Sequence, residues 1–127
     1  MIGWTLSAIV VVSLLATGFV IVVAPRRSSE QFGIALDDPR AFAFIRAMGA
    51  RDAVIGGLLA LMLVARSREL LGWAMCLGAS VAVSDLLLVV ADRRLAGSHH
   101  RVDAQVLLHT GGAVGLLVTA AALFAGV

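Results

Sequence analysis

Four long apolar runs constrain this chain more than any other feature. Each run has about the 20 residues that a helix needs to cross the hydrocarbon core of a bilayer. Charged residues make up only 14% of the chain, whereas a soluble domain carries roughly 25%. We therefore predict an all-α, integral membrane four-helix bundle of antiparallel, up-and-down topology. The single domain, 1–127, has spans predicted at 2–24, 39–65, 70–91 and 103–126.

The arginines predict an orientation for these spans. The hairpin between the second and third runs holds Arg66 and Arg68. The loops after the first and third runs hold more: Arg26, Arg27, Arg40, Arg93, Arg94 and Arg101. Arginine-rich loops stay in the cytoplasm, so we expect both termini outside, in a bacterial plasma membrane. Trp4 and Trp73 then share the outer interface, as in an aromatic belt.

Local signals predict where the helices begin and end. Pro25 and the arginines after it are predicted to stop the first span, with a polar loop over 28–38. Asp38 and Pro39 predict the start of the second span, because an acidic N-cap and a proline at the first helical position favour helix initiation. The charged run 92–94 is predicted to end the third span.

Small residues recur every four positions in the second run, at Gly49, Ala53 and Gly57. In a bilayer, small residues at this spacing let another helix approach closely. The sequence therefore predicts that these three residues form a packing surface of the second helix.

Three ionisable residues lie deep in the apolar runs. Counting from the predicted helix ends, Asp52 and Asp85 lie about 21 and 22 Å from the outer boundary, and His109 lies about 12 Å from the cytoplasmic one. In a core of roughly 30 Å, these depths coincide in the cytoplasmic third. Ionisable groups at membrane depth are expensive and mark functional sites by default.

We therefore predict a catalytic group of Arg51, Asp52, Asp85 and His109. An Asp or His would act as base, another Asp as acid, and Arg51 would hold charge in place. Arg51 and Asp52 lie about 100° apart around their helix, so we expect them not to point easily at one spot. Asp85 is the expected partner of Arg51, and His109 that of Asp52. Polar residues near this level are predicted to bind substrate: Thr17, Ser84, Gln105 and Thr110.

A purely structural interpretation stays open. Arg51 can reach toward the interface with Asp52 as its counter-charge. Asp85 can be neutral or pair with an arginine, and His109 can hydrogen-bond across the bundle. Against this interpretation, serine or asparagine would hold helices together at lower cost than a carboxylate and an imidazole.

Other chemical signals are weak. His99 and His100 with Asp92 and Asp103 resemble a metal site in composition, but a solvated loop is the favoured interpretation. Cys76 is expected to be a packing residue. The sequence implies no cofactor and no metal.

Several short motifs together resemble one family. They are Phe19…Ala24-Pro25-Arg26, Phe32-Gly33-Ile34, Gly49-Ala50-Arg51-Asp52 with Gly56-Gly57, Leu71-Gly72-Trp73, Ser84-Asp85 and His109-Thr110-Gly111-Gly112. The chain resembles the small four-helix membrane proteins catalogued as domain of unknown function four-two-six-seven. The resemblance implies a topology and no activity. Sterol isomerases, epoxide isomerases and anthrone oxidases are similar in size and architecture alone.

The leading functional hypothesis is a membrane enzyme that transfers protons on a lipophilic small molecule, by isomerisation or by opening or cyclisation of an epoxide. One alternative is a non-catalytic accessory or small-molecule-binding subunit. Another is a proton-coupled carrier. The expected partners are the lipid bilayer and the lipophilic molecule. Further copies of the chain are a third expected partner, since four short helices enclose little volume. A net charge of +2 gives no reason to expect nucleic acid.

Overall fold

A computed structural model describes residues 1–31, 39–95 and 104–127. The helices are α1 (Ile2–Val23), α2 (Pro25–Gln31), a 3-10 turn (Pro39–Ala41), α3 (Phe42–Val64), α4 (Arg68–Leu95) and α5 (Ala104–Ala125). In these ranges there is no strand. Four of the helices, α1, α3, α4 and α5, are long and apolar enough to cross a membrane. The predicted all-α fold with four spanning helices is confirmed, and the chain is an integral membrane protein.

Helix α2 is the first departure from the prediction. Pro25 and the arginines after it were predicted to stop the first span, and α1 does end at Val23, but Pro25 also begins a new helix. Proline is well suited to the first helical position because its missing N–H has no partner there. The Ser28 hydroxyl also donates to the Ala24 carbonyl at 3.0 Å. The loop prediction is therefore wrong for residues 28–31. Its remainder, including Asp38, lies outside the described residues.

The third candidate span ends at Ala91, as predicted, but the charged run 92–94 does not end the helix. Helix α4 continues to Leu95, because arginine is a good helix former and the helix can continue once it has left the hydrocarbon. The segment with His99 and His100 lies outside the described residues. Helix α3 begins at Phe42, after the 3-10 turn.

The chain divides into two compact units. The first unit is Thr5–Arg66. The second unit is Met1–Trp4 together with Ser67–Val127.

In the first unit, α1 packs closely against α3. A Cβ atom built on Gly18 would lie 2.6 Å from both the Ala53 nitrogen and the Gly49 oxygen, and one on Gly56 would lie 3.1 Å from the Leu15 side chain. Residue numbers fall along α3 as they rise along α1, so the two helices are antiparallel. The small residues let the two backbones touch.

The predicted packing surface is correct at Gly49 and Ala53 and wrong at Gly57. A Cβ on Gly57 would meet nothing within 4 Å among the described residues, whereas Gly56 contacts α1. The reason is the helical period of 3.6 residues: two steps of four, from Gly49 to Gly57, leave the contact face, whereas a step of four followed by a step of three, from Gly49 to Gly56, stays on it.

In the second unit, α4 packs against α5. The Trp73 and Phe124 rings meet edge to face with centroids 5.3 Å apart, an arrangement that the quadrupoles of the rings favour. A Cβ on Gly72 would lie 2.8 Å from the Phe124 ring. Arg68 donates from Nη2 to the Phe124 carbonyl at 3.3 Å, which satisfies a carbonyl in the last turn of α5.

The first turn of α1 joins the same end of the second unit. The Gly3 N–H donates to the Val127 carbonyl at 2.9 Å, and the Gly3 backbone touches Leu123. Trp4, next to Gly3, and Trp73, at the start of α4, therefore both lie at the C-terminal end of α5. This shared level is what an aromatic belt requires.

Candidate functional site

The contacts between α4 and α5 set the relative level of Asp85 and His109. A Cβ on Gly78 would lie 3.5 Å from the Leu116 side chain, and Gly72 contacts Phe124 further along, so the helices are antiparallel. Asp85 is seven residues after Gly78, and His109 is seven residues before Leu116. Seven residues complete nearly two turns, leaving each helix within about 20° of the same face. The register therefore brings Asp85 level with His109, on the faces through which α4 and α5 meet.

The environment of these two residues is half-buried. Asp85 and His109 are both of intermediate exposure. Within the part of the chain that the structure describes, neither side chain forms a hydrogen bond or an ion pair. The neighbouring hydroxyl on α4 is bonded within its own helix, since Ser84 donates to the Ser80 carbonyl at 2.9 Å. Among the described residues, Asp85 and His109 thus have no polar side-chain partner other than each other or a ligand.

Arg51 and Asp52 form an ion pair with each other. The Arg51 Nε and Nη2 atoms both donate to Asp52 Oδ1 at 3.2 Å. The expectation that adjacent positions keep these groups apart is wrong, because the long arginine stem can curve back around the helix. The bonds predicted from Arg51 to Asp85 and from Asp52 to His109 would join residues of different units, and they stay predictions.

Asp52 occupies the buried stripe of α3. The stripe consists of the buried residues Ile45, Gly49, Gly56 and Leu59, and position 52 falls in its alternating spacing of four and three. The Asp52 side chain is 21% exposed, compared with 47% for Arg51. Arg51 lies off the stripe and is more exposed, and its guanidinium group bonds to the Asp52 carboxylate. The charge of Asp52 is therefore neutralised within its own helix.

The chain from residue 11 to residue 123 matches a family model described as Domain of unknown function (DUF4267). The chain belongs to this family. No curated protein and no solved structure matches the chain. The DUF4267 match includes Arg51, Asp52, Asp85 and His109, and its description names no reaction. The function of this DUF4267 domain must therefore be argued from its residues.

The residues predicted to bind substrate are dispersed over the DUF4267 domain. Thr17 on α1 and Thr110 on α5 are exposed, and the exposed Ser84 is bonded within α4. Gln105 lies in the first turn of α5, with its side chain outside the described part. Ser84 directly precedes Asp85, and Thr110 directly follows His109, so these two are adjacent in sequence to the Asp85–His109 pair.

One polar feature of this DUF4267 domain was not predicted as a site. Arg26 and Arg27, which were interpreted only as determinants of orientation, line a shallow groove together with Arg46. The sequence signal was present as a basic run after the first span. That α3 contributes Arg46 to the same groove depends on the packing of the helices.

Proposed function

We propose that this protein is a membrane-embedded enzyme that carries out cofactor-free acid–base chemistry on a lipophilic small molecule. The supporting observation is the antiparallel packing of α4 against α5, in which Gly78 meets Leu116; a level position of Asp85 and His109 follows from this register. Both side chains are half-buried and lack polar partners within the described residues. A carboxyl and an imidazole in a water-poor setting are typical of general acid–base catalysis.

The reaction is an isomerisation, either the shift of a double bond or the cyclisation of an epoxide. We assign the base to His109 and the acid to Asp85, because neither group then brings a formal charge into the hydrocarbon before reaction. In a double-bond shift, His109 removes a proton from one carbon and Asp85 donates one to another. In a cyclisation, Asp85 protonates the epoxide oxygen while a hydroxyl of the same molecule attacks the ring carbon and loses its proton to His109.

Each turnover leaves the composition of the substrate unchanged. One proton leaves the substrate and one enters it, and no oxidant or reductant takes part. His109 ends the reaction protonated and Asp85 ends it ionised. With the two groups at one level, which the register of α4 and α5 supports, the imidazolium can return its proton to the carboxylate and restore the starting state.

Arg51 and Asp52 favour a second candidate, a non-catalytic accessory or binding subunit. Their mutual pair, at 3.2 Å, gives each of these two charges a partner on its own helix. Such a pair can hold the stripe of α3 in its packed arrangement without any chemistry.

The proposed setting is a bacterial plasma membrane with both termini outside. The supporting observations are the arginine bias of the loops after the first and third spans and the common level of Trp4 and Trp73. The substrate then enters from the bilayer or from the cytoplasmic end of α5.

The test uses the protein in vesicles made from the lipid extract of cells that express it, suspended in deuterated water. A double-bond shift incorporates solvent deuterium at carbon, and a cyclisation gives a product of equal mass with a new chromatographic retention. The wild-type protein should give one of these two signals, and we expect Asp85→Asn and His109→Ala to abolish it. Mass spectrometry of the extracted lipids measures them.

Glu69→Gln provides the matched control, because Glu69 is an acidic residue in the first turn of the same helix. Thermal unfolding in detergent is measured on every variant. If Asp85→Asn and His109→Ala are stably folded and still convert the lipid, the enzymatic proposal is wrong. If they unfold at lower temperature and any turnover falls only in proportion, the pair is structural.

A further inference from the structure

A shallow groove of about 640 Å³ lies at one end of the first unit. It lies among the last turn of α1, helix α2 and the first turns of α3. Its lining residues are Val23, Ala24, Pro25, Arg26, Arg27, Glu30, Phe42 and Arg46. We call this groove the basic groove. All its lining residues belong to the first unit, whereas Asp85 and His109 belong to the second.

The basic groove carries an excess of positive charge. Arg26 donates from Nε to Glu30 Oε1 at 3.2 Å, and the two side chains are 80% and 56% exposed. Arg27 and Arg46 are exposed, and among the described residues neither side chain has a hydrogen bond or ion pair. Within the described part of the chain, two guanidinium groups of the groove are therefore without a counter-charge, and a third is held by a carboxylate.

The position of the basic groove is at a membrane boundary. Val23 is the last residue of α1, and Phe42 is the first residue of α3, so the groove lies where both helices leave the hydrocarbon. Arg46 lies one turn after Phe42 on the same face of α3. The groove thus combines apolar side chains from the ends of two spans with arginines that extend toward the headgroups.

Local hydrogen bonds hold the α2 side of the groove in place. Pro25 is buried, and Ser29 is completely buried. The Ser29 hydroxyl donates to the Arg26 carbonyl at 2.8 Å. The backbone that carries Arg26 and Arg27 is therefore fixed before any ligand arrives, which reduces the entropy lost on binding.

We propose that the basic groove binds the phosphate headgroup of an anionic phospholipid. The guanidinium group matches phosphate in charge and in hydrogen-bonding geometry. Basic pockets between spanning helices recognise anionic headgroups. An amphiphile fits this groove better than a soluble anion does, because Val23 and Phe42 offer an apolar surface beside the arginines. The proposal does not depend on the enzymatic one.

The test measures retention of phosphatidylglycerol by the full-length protein. The protein is purified in neutral detergent, mixed with phosphatidylglycerol or with phosphatidylcholine, and examined by native mass spectrometry. We expect a preference for phosphatidylglycerol. Arg27→Gln and Arg46→Gln should each weaken that preference about five-fold, since one arginine near an anionic surface contributes on the order of a factor of five.

Two further variants make the test specific. Arg66→Gln removes one positive charge at the opposite end of α3 and should leave the preference unchanged. Glu30→Gln should strengthen it, because it releases Arg26 and removes a negative charge from the groove. An increase on removing Glu30 is not expected if the arginines serve only to set the orientation of the chain.

Three outcomes overturn the proposal. The first is an equal affinity of the wild-type protein for the two lipids. The second is an equal loss in Arg66→Gln and in the two groove variants, which indicates a general effect of charge. The third is displacement of phosphatidylglycerol by inorganic phosphate at matched concentration, which identifies a soluble phosphate as the ligand.

Discussion

Replacing Gly18 by alanine should separate α1 from α3. The new Cβ would lie 2.6 Å from the Ala53 nitrogen and from the Gly49 oxygen, whereas ordinary contact begins at 3.4 Å. Both opposing atoms belong to the backbone, so no change of rotamer relieves the clash. The helices must shift by about 0.8 Å, and overpacking of this kind typically destabilises a protein by about 1–3 kcal/mol. We expect Gly18→Ala to fall in this range.

Gly18 lies on α1, and the glycines of α3 provide a graded series that tests the same contact. A Cβ on Gly49 would meet the Gly18 oxygen at 2.7 Å, and one on Gly56 would meet the Leu15 side chain at 3.1 Å. Gly57 has open space around it among the described residues. The loss of stability should therefore decrease from Gly49→Ala to Gly56→Ala, and Gly57→Ala should stabilise the helix by up to about 1 kcal/mol.

The assay is reversible unfolding of the purified protein in mixed micelles, followed by circular dichroism as the fraction of denaturing detergent rises. Each alanine variant adds one methyl group to one helix, so differences in hydrophobicity cancel. If Gly18→Ala and Gly57→Ala have the same stability, the backbone contact between α1 and α3 is not the one described.

The remaining predictions concern the ion pair and the orientation. Asp52→Asn should destabilise the protein more than the double change of Arg51 and Asp52 to leucine, because the single change leaves a charge without its partner; unfolding of both variants in mixed micelles measures this, and equal losses would contradict it. In a Cys76→Ala background, an impermeant thiol reagent added outside should label Ser67→Cys and leave Ser98→Cys unlabelled, whereas labelling of the latter would reverse the orientation.

Much of the fold could be predicted from the sequence, because the length and hydropathy of a run of residues are enough to identify a spanning helix. The first span was predicted to within one residue, since Ile2 to Val23 is an almost unbroken apolar run. The helical structure that follows Val23 and Ala91 was harder to predict, since Pro25 begins α2 and α4 continues to Leu95. Proline and charged residues can end a helix or continue it, and tertiary contacts decide between the two.

The candidate site could be predicted only in part, because depth along a helix does not give direction around it. Counting residues predicted one level for Asp85 and His109. The contact between Gly78 and Leu116 adds the direction around each helix, since it identifies the faces through which α4 and α5 meet. The bond between Arg51 and Asp52 was missed because angular spacing ignores the reach of a long side chain. Gly56 was missed in favour of Gly57 because a fixed step of four ignores the true helical period.

The most direct test of the central claim is the imidazole spectrum of His109 in the folded protein. Isotopically labelled histidine gives three nitrogen signal pairs by nuclear magnetic resonance, since the chain has three histidines, and replacing His99 and His100 assigns the third. The pairing predicts that Asp85→Asn shifts the His109 signals and that Glu69→Gln does not. Unchanged His109 signals in Asp85→Asn would show that the two groups do not meet, and would contradict the proposed site.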